Sequence, residues 1–343
     1  MKLLRKELVK NGLDCALFFT NENVNPNLFY FTGYVGAGTL IVPAKGKPIL
    51  HVPLRDLSMA KKIKGVKLSH GKKLSEVLNS FKISSNKIGI DFTNISAYDF
   101  NDLKEKLSCE FFDISDFMNN LRAVKTKDEI NKINMACSIT DSIFRKFVSN
   151  FGNFKTESEA VAFLTYEVRK SGCGLAFEPI VASGKNASIP HHISNDKING
   201  GFCVVDFGVK FEGYCSDVTR TFYVGKPSAD EEKIYYDLLG AQEKSISFIK
   251  SGILIGDVLT KSEKITGAMI HALGHGLGIE VHEIPYLSKH NLTDALFREG
   301  MVITIEPGIY VENKYGIRIE DDVLVTKSGC DVLSKFTKKL ICL

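Results

Sequence analysis

Short apolar runs separated by polar, turn-forming stretches fill the first third of the chain. "DCALFF" (14–19), "TLIVP" (39–43), "PILHVP" (48–53) and "KIGIDF" (87–92) have strand length and read as strands. "SEVLNSF" (75–81) and "AYDFNDLKEKL" (97–107) carry apolar residues at helical spacing and read as helices. The opening "MKLLRKELVKNGLDCALFF" reads as an amphipathic helix running into the first strand. The alternation predicts a small α/β domain over residues 1–121, ending near "SDFMNNLRAVKT".

A different pattern follows. Thr126 with Glu129 makes a capping box for a long helix, and Ile130, Ile133, Cys137, Phe144 and Phe147 recur along one face of it. Thr156 with Glu159 opens another helix to about Lys170, and a third runs from about Ala229 to Lys250. Strand-rich stretches lie at 176–183, 201–225, 301–311 and 316–326. Helices and antiparallel hairpins in this proportion predict an α+β second domain over residues 122–343.

Composition narrows the class of function. A chain of 343 residues that is 44% hydrophobic and 24% charged can bury two ordinary cores. Its net charge of +4 is too small to argue for nucleic acid or a membrane surface as partner. No apolar run approaches bilayer length, and the start lacks the long apolar stretch and cleavage site of a signal peptide. The eight cysteines are scattered without a C-x-x-C pair, as expected of reduced thiols in a cytoplasmic protein.

Chemistry concentrates in "GFCVVDFGVKFEGYCSDVTRTFYVG" (201–225), which reads as two strands turning at Glu212-Gly213. That turn makes Phe211 face Tyr214, Asp206 face Thr219 and Gly208 face Asp217. Asp206 and Asp217 are then diagonal neighbours on one face, ~7–8 Å apart at the backbone. Two acids converging in an apolar hairpin repel each other unless a cation lies between them or the face is solvated. Glu306 in "VITIEPGIY" and Glu320 in "YGIRIEDDVLV" repeat the theme, each an acid after a β-branched apolar run. "GHGLGIEVHEIP" (274–285) is not the H-E-x-x-H zinc helix, since Tyr286 stands where the second histidine belongs and Pro285 breaks the helix. Its three glycines instead allow a close-approach loop that presents His275, with His282 nearby as a substrate or supporting contact. Four carboxylates and one imidazole match two divalent cations in charge. Oxygen-rich ligation of this kind suits Mn²⁺, Co²⁺, Fe²⁺ or Zn²⁺.

The ordered set Asp206, Asp217, His275, Glu306 and Glu320, with the words "VVDFGVKFEGYCSDVTRTF", "HALGHGLGIEVHEIP", "TIEPGIY" and "GIRIEDDVLVT", resembles the pita-bread dinuclear metallopeptidases. "LFYFTGY" (28–34) and "LRAVKTKDEI" (121–130) are similar to the proline-specific branch, Xaa-Pro dipeptidase (prolidase) and aminopeptidase P. The resemblance implies a pita-bread catalytic domain behind a ribonuclease H-like, creatinase-type α/β domain. It implies two metal ions, Mn²⁺ or Co²⁺ foremost, bridged by Asp217 and Glu320, with Asp206 completing one site and His275 and Glu306 the other. Glu306 would shuttle the proton, and His191 and His282 would stabilise the oxyanion. His271, Arg318 and Tyr310 would contact substrate or support the site, while His192 is read as incidental. A proline-containing peptide substrate and a homodimer are implied as well.

Dipeptidase activity is the first expectation, aminopeptidase P activity the second and a non-catalytic peptide-binding relative the third. Methionine aminopeptidases share the five ligands, but the extra domain at 1–121 argues against that branch. One departure stands out: the chain is a few residues short before "HALGHG", and the family's arginine-threonine pair is Ala272-Leu273.

Overall fold

Alternate side chains of a β-strand leave on opposite faces, and Cys15–Thr20 (β1) buries both sets. Ala16 and Phe18 pack with Leu4, Leu8 and Leu50 on one side, while Cys15 and Leu17 pack with Ile41, Val77 and Ile88 on the other. A strand covered on both faces reads as an unbroken apolar run, which is why "CALFF" shows no alternation. The computed structural model describes residues 1–20, 24–80, 86–267, 269–289 and 295–343. These separate into two units, Met1–Leu121 and Arg122–Leu343.

In the first unit β1 is joined by Gly38–Pro43 (β2), Ile49–Val52 (β3), Lys67–His70 (β4), Lys87–Ile90 (β5) and Glu110–Asp113 (β6). The sheet order is β4-β3-β2-β1-β5-β6. The pairs β1–β2 and β2–β3 are antiparallel, and β3–β4, β1–β5 and β5–β6 are parallel. The helices Lys2–Lys10, Leu74–Ser80 and Ala97–Lys106 lie where the sequence predicts them; Phe81, the end of the second prediction, lies outside the described residues. Strands β4 and β6 escape the hydrophobic pattern because they bury little: Ser69 alone in β4 and no residue fully in β6.

In the second unit the capping boxes at Thr126/Glu129 and Thr156/Glu159 start the helices Lys127–Asn150 and Glu157–Lys170, and Ser228/Glu231 starts Ala229–Ser247 the same way. The helix Ile255–Thr266 was not predicted. On the long helix Ile133, Cys137, Phe144 and Phe147 are buried and Ile130 is half-buried. Phe144 stacks on Phe336 and packs against Phe207 and Phe222, clamping the helix to the hairpin at 201–224. Each such ring contributes about 1.5–3 kcal/mol through burial. The hairpin sheet runs Ile180–Ser183, Gly201–Phe207, Val218–Val224, with the Gly201–Phe207 strand in the middle. A five-stranded sheet contains His275–Gly276, Glu283–Tyr286, Val302–Ile305, Asp321–Val325 and Cys330–Val332, and Gly308–Val311 pairs with Tyr315–Arg318. Among the described residues no helix is long and apolar enough to cross a membrane.

Candidate metal centre

The hairpin turns at Glu212 and Gly213, whose φ values of 46° and 86° are both positive. This is the primed turn whose twist matches that of the flanking strands. It fixes the expected register: Phe211 faces Tyr214, and Asp206 faces Thr219. The expected Gly208–Asp217 rung is not formed, because neither residue belongs to a strand. At that point the two strands pinch together, and a Cβ on Gly208 would lie 1.9 Å from the Ser216 carbonyl oxygen. The ladder is thereby split, leaving Asp206 at the end of one segment and Asp217 free to turn inward.

The remaining acids sit at strand ends. Glu306 follows Val302–Ile305, and Glu320 lies between Tyr315–Arg318 and Asp321–Val325. His275 is brought to them by a close backbone crossing, since a Cβ on Gly274 would stand 1.9 Å from the Thr304 carbonyl oxygen. Thr304 Oγ1 accepts from the His275 N–H at 3.1 Å. Ligand atoms of Asp217, His275 and Glu320 lie within 4.8 Å of one another. His275 Nε2 is 3.6 Å from Asp217 Oδ2 and 3.4 Å from Glu306 Oε1.

These contacts decide what the site can hold. The Gly276 carbonyl, 3.1 Å from His275 Nδ1, can only accept, so Nδ1 carries the ring proton. Burial, reinforced by neighbouring His282, lowers the His275 pKa to about 4, so the ring is neutral near pH 7. Its bare Nε2 lone pair therefore faces carboxylate oxygens, an arrangement that needs a proton or a cation between them. Burial, followed by the mutual repulsion of the acids, pushes Asp217 and Glu320 well above the ordinary carboxylate range. Burial likewise raises Glu306 to about 8. Asp206 Oδ2 accepts from Arg318 Nη2 at 2.7 Å, while its buried Oδ1 has no hydrogen-bond partner among the described residues. An orphaned carboxylate oxygen, a bare imidazole nitrogen and three strained acids form a donor set that fits divalent cations.

All five residues line one cavity of about 310 Å³, together with His191, His271, His282 and Arg318. Tyr310 supports it from outside: its hydroxyl accepts from Arg318 Nη1 at 2.7 Å and lies 3.1 Å from His271 Nε2. The His282 ring meets that of His275 edge-on at 4.3 Å. Of the substituted pair, Ala272 lines the cavity, whereas Leu273 is buried in the core beneath it. Neighbouring Ala268 lies outside the described residues. Glu283, the acid beside His282, faces away from the cavity and pairs with buried Lys125 at 3.2 Å. His192 also leaves the site, its ring meeting buried Glu157 at 2.7 Å.

Sequence reasoning missed the residues that hold the candidate ligands. Thr219 Oγ1 donates to Glu320 at 2.6 Å and accepts from Arg318 Nε at 3.1 Å. Asp322 accepts the Asp217 backbone N–H at 3.0 Å. The signal for Asp322 was present in "IEDD", a run of acids inside a strand. Also missed was the apolar wall of Phe177, Ile180, Val281 and Tyr286.

Residues 131–327 match the sequence profile of metallopeptidase family M24, and residues 1–124 match that of the Creatinase/Prolidase N-terminal domain. The chain belongs to metallopeptidase family M24. Within that family it is 35% identical to the Xaa-Pro dipeptidase of Pyrococcus furiosus, over 97% of this chain and 100% of the relative. Among solved structures of similar chains, the Pyrococcus horikoshii prolidase superposes with a TM-score of 0.90 at 32% identity, covering 99% of both. The X-Pro aminopeptidase of Thermotoga maritima superposes at 0.88 and 30% identity, covering 99% of this chain and 100% of that one. The M24 unit thus has the expected pita-bread fold, with a creatinase-type domain preceding it in sequence; the chain is a metallopeptidase, and its clustered acids and histidine could hold divalent metal.

Proposed function

We propose that this M24 peptidase hydrolyses the bond preceding proline, with Xaa-Pro dipeptides as its principal substrates. The single observation behind the proposal is one cavity with an apolar wall that is lined by four carboxylates, with Asp217, Glu306 and Glu320 gathered about the bare imidazole nitrogen of His275. Asp206, Asp217, His275, Glu306 and Glu320 would together hold the divalent cations. Bound there, the cations supply Lewis acidity and lower the pKa of attacking water toward neutrality. Mn²⁺ or Co²⁺ suits the donors best, with Zn²⁺ and Fe²⁺ as substitutes.

The chain's own side chains do the rest. Glu306, whose proton affinity is raised toward neutrality, takes a proton from water and returns it to the departing nitrogen. His191 and His282 donate to the oxyanion. Arg318, through Asp206 and Tyr310, fixes one wall of the site, and His271 is set against the Tyr310 hydroxyl. Phe177, Ile180, Val281 and Tyr286 give the pyrrolidine ring an apolar surface. A tertiary amide lacks the N–H that general peptidases bind, so a dedicated pocket is required. We place the enzyme in the cytoplasm, in keeping with its eight free cysteines, and expect a homodimer.

A second reading, removal of the first residue from Xaa-Pro-peptides, draws on the likeness to the Thermotoga enzyme. Hydrolysis of Ala-Pro and Ala-Pro-Ala by metal-free protein resupplied with Mn²⁺, Co²⁺ or Zn²⁺ tests both readings. Faster cleavage of Ala-Pro supports the dipeptidase, faster cleavage of the tripeptide supports the aminopeptidase, and cleavage of neither overturns the proposal.

A further inference from the structure

His191 and His192 are adjacent in sequence and go to opposite places. The exposed His191 lines the metal cavity, whereas the His192 side chain is only 10% exposed and points back into the protein. Its Nε2 lies 2.7 Å from Oε2 of Glu157, a carboxylate that is completely buried at the start of the Glu157–Lys170 helix. The other oxygen, Oε1, accepts from the Ser183 backbone N–H at 2.7 Å, from Ser183 Oγ at 2.8 Å and from Asn186 Nδ2 at 3.1 Å. One buried acid therefore gathers the beginning and the end of the turn that carries His191. With Asp196, Glu157 and His192 form a trio of potential metal ligands. The four donors already converging on Glu157 make it an anchor and not a cation site.

On the other side of His191 the chain is tied to the metal centre itself. The Pro190 carbonyl accepts from Arg318 Nη1 at 3.4 Å. The His192 N–H donates to the Ile189 carbonyl at 3.2 Å, closing a tight turn over the two intervening residues. Beyond it the segment is stitched down again, with Ser194 Oγ accepting from Val181 N–H and the Asp196 carbonyl accepting from Glu157 N–H, both at 2.8 Å. His191 is thus the tip of a turn fixed at both shoulders, by Arg318 before it and by Glu157 after it.

We propose that the Glu157–His192 pair is a positioning device that aims His191 into the cavity, so that His192 is not incidental to the reaction. This rests on the proposed role of His191 as an oxyanion donor. An imidazole at the tip of a turn has several rotamers and a mobile backbone open to it, and a displacement of about 1 Å can cost 10²-fold in rate.

Kinetics on Ala-Pro with Mn²⁺-loaded protein test the assignment. His192→Ala is expected to lower kcat about 10- to 100-fold, with KM, metal content and Tm close to native. His192→Gln, which keeps a donor for Glu157, is expected to stay within about threefold of native. His192→Leu fills the volume without the donor and should behave like His192→Ala, providing the test if the alanine variant fails to fold. Because His192 acts through His191, the double variant with His191→Ala should be no slower than His191→Ala alone. Native kcat in His192→Leu, or losses that multiply in the double variant, would overturn the device while leaving the role of His191 standing. Full activity in His191→Ala would overturn that role and the device with it.

Discussion

Glu306 has two demands on one carboxylate: to ligate a cation and to carry a proton. Its geometry serves both, with Oε1 3.4 Å from His275 Nε2 and also accepting from Thr304 Oγ1 at 3.4 Å, while 16% of the side chain reaches the cavity. Replacing it by glutamine keeps the shape and the metal-facing oxygen but removes the base, so Glu306→Gln should lower kcat by about 10²–10⁴. Steady-state rates alongside metal analysis check this, and near-native turnover by a metal-replete variant would refute the role. Glu306 and Glu320 stood out in the sequence as candidate ligands because an acid following a β-branched run has no cheap burial without a partner. Thr219, Thr304 and Asp322 could not be read in the same way. A threonine in a strand is ordinary, and an aspartate's use in holding a backbone N–H depends on which loop folds beneath it.

Among the elements, the hairpin was the easiest to anticipate and the histidine loop the hardest. A two-residue turn fixes the pairing of everything that follows, so Asp206 opposite Thr219 needed no tertiary information. The break at Gly208 is different: it arises from backbones pressed together, which residue periodicity cannot show. His275–Gly276 is only a two-residue strand, bridging Glu283–Tyr286 and Val302–Ile305. No pattern of polar and apolar positions is long enough to reveal it. Its formation depends on Gly274, where an added methyl would collide with the Thr304 carbonyl. Gly274→Ala should therefore separate the two segments and pull His275 from the carboxylates. A loss of about 1–3 kcal/mol in stability is expected, with a larger proportional fall in metal affinity. Thermal unfolding and metal titration would show it; native metal affinity in the variant would mean that the crossing is not what seats His275.

At the scale of the whole molecule, the α+β character of the catalytic unit was legible from its capping boxes and hairpins, while the strands β4 and β6 were hidden by their lack of burial. What sequence could not show is how much repulsion the finished fold stores at one place. In the folded chain Glu306 holds its proton up to about pH 8, against an ordinary value of 4.5, chiefly through burial, and Asp217 and Glu320 are raised in the same direction. An acid with a raised folded pKa binds more protons folded than unfolded, so its contribution to stability falls as pH rises between those two values. Metal-free protein should accordingly lose stability as pH rises between about pH 5 and pH 8. Cations replace those protons, so the rise in Tm on adding Mn²⁺ should grow over the same interval, with protons released on binding. In the metal-free state Glu306→Gln removes one of the titrating acids and should flatten the decline. Melting curves of native and variant protein, with chelator and with Mn²⁺ at several pH values, decide it. A metal-free Tm that holds steady or rises toward pH 8, with the variant no different, would show that the acids are not in conflict and that the cation is not what reconciles them.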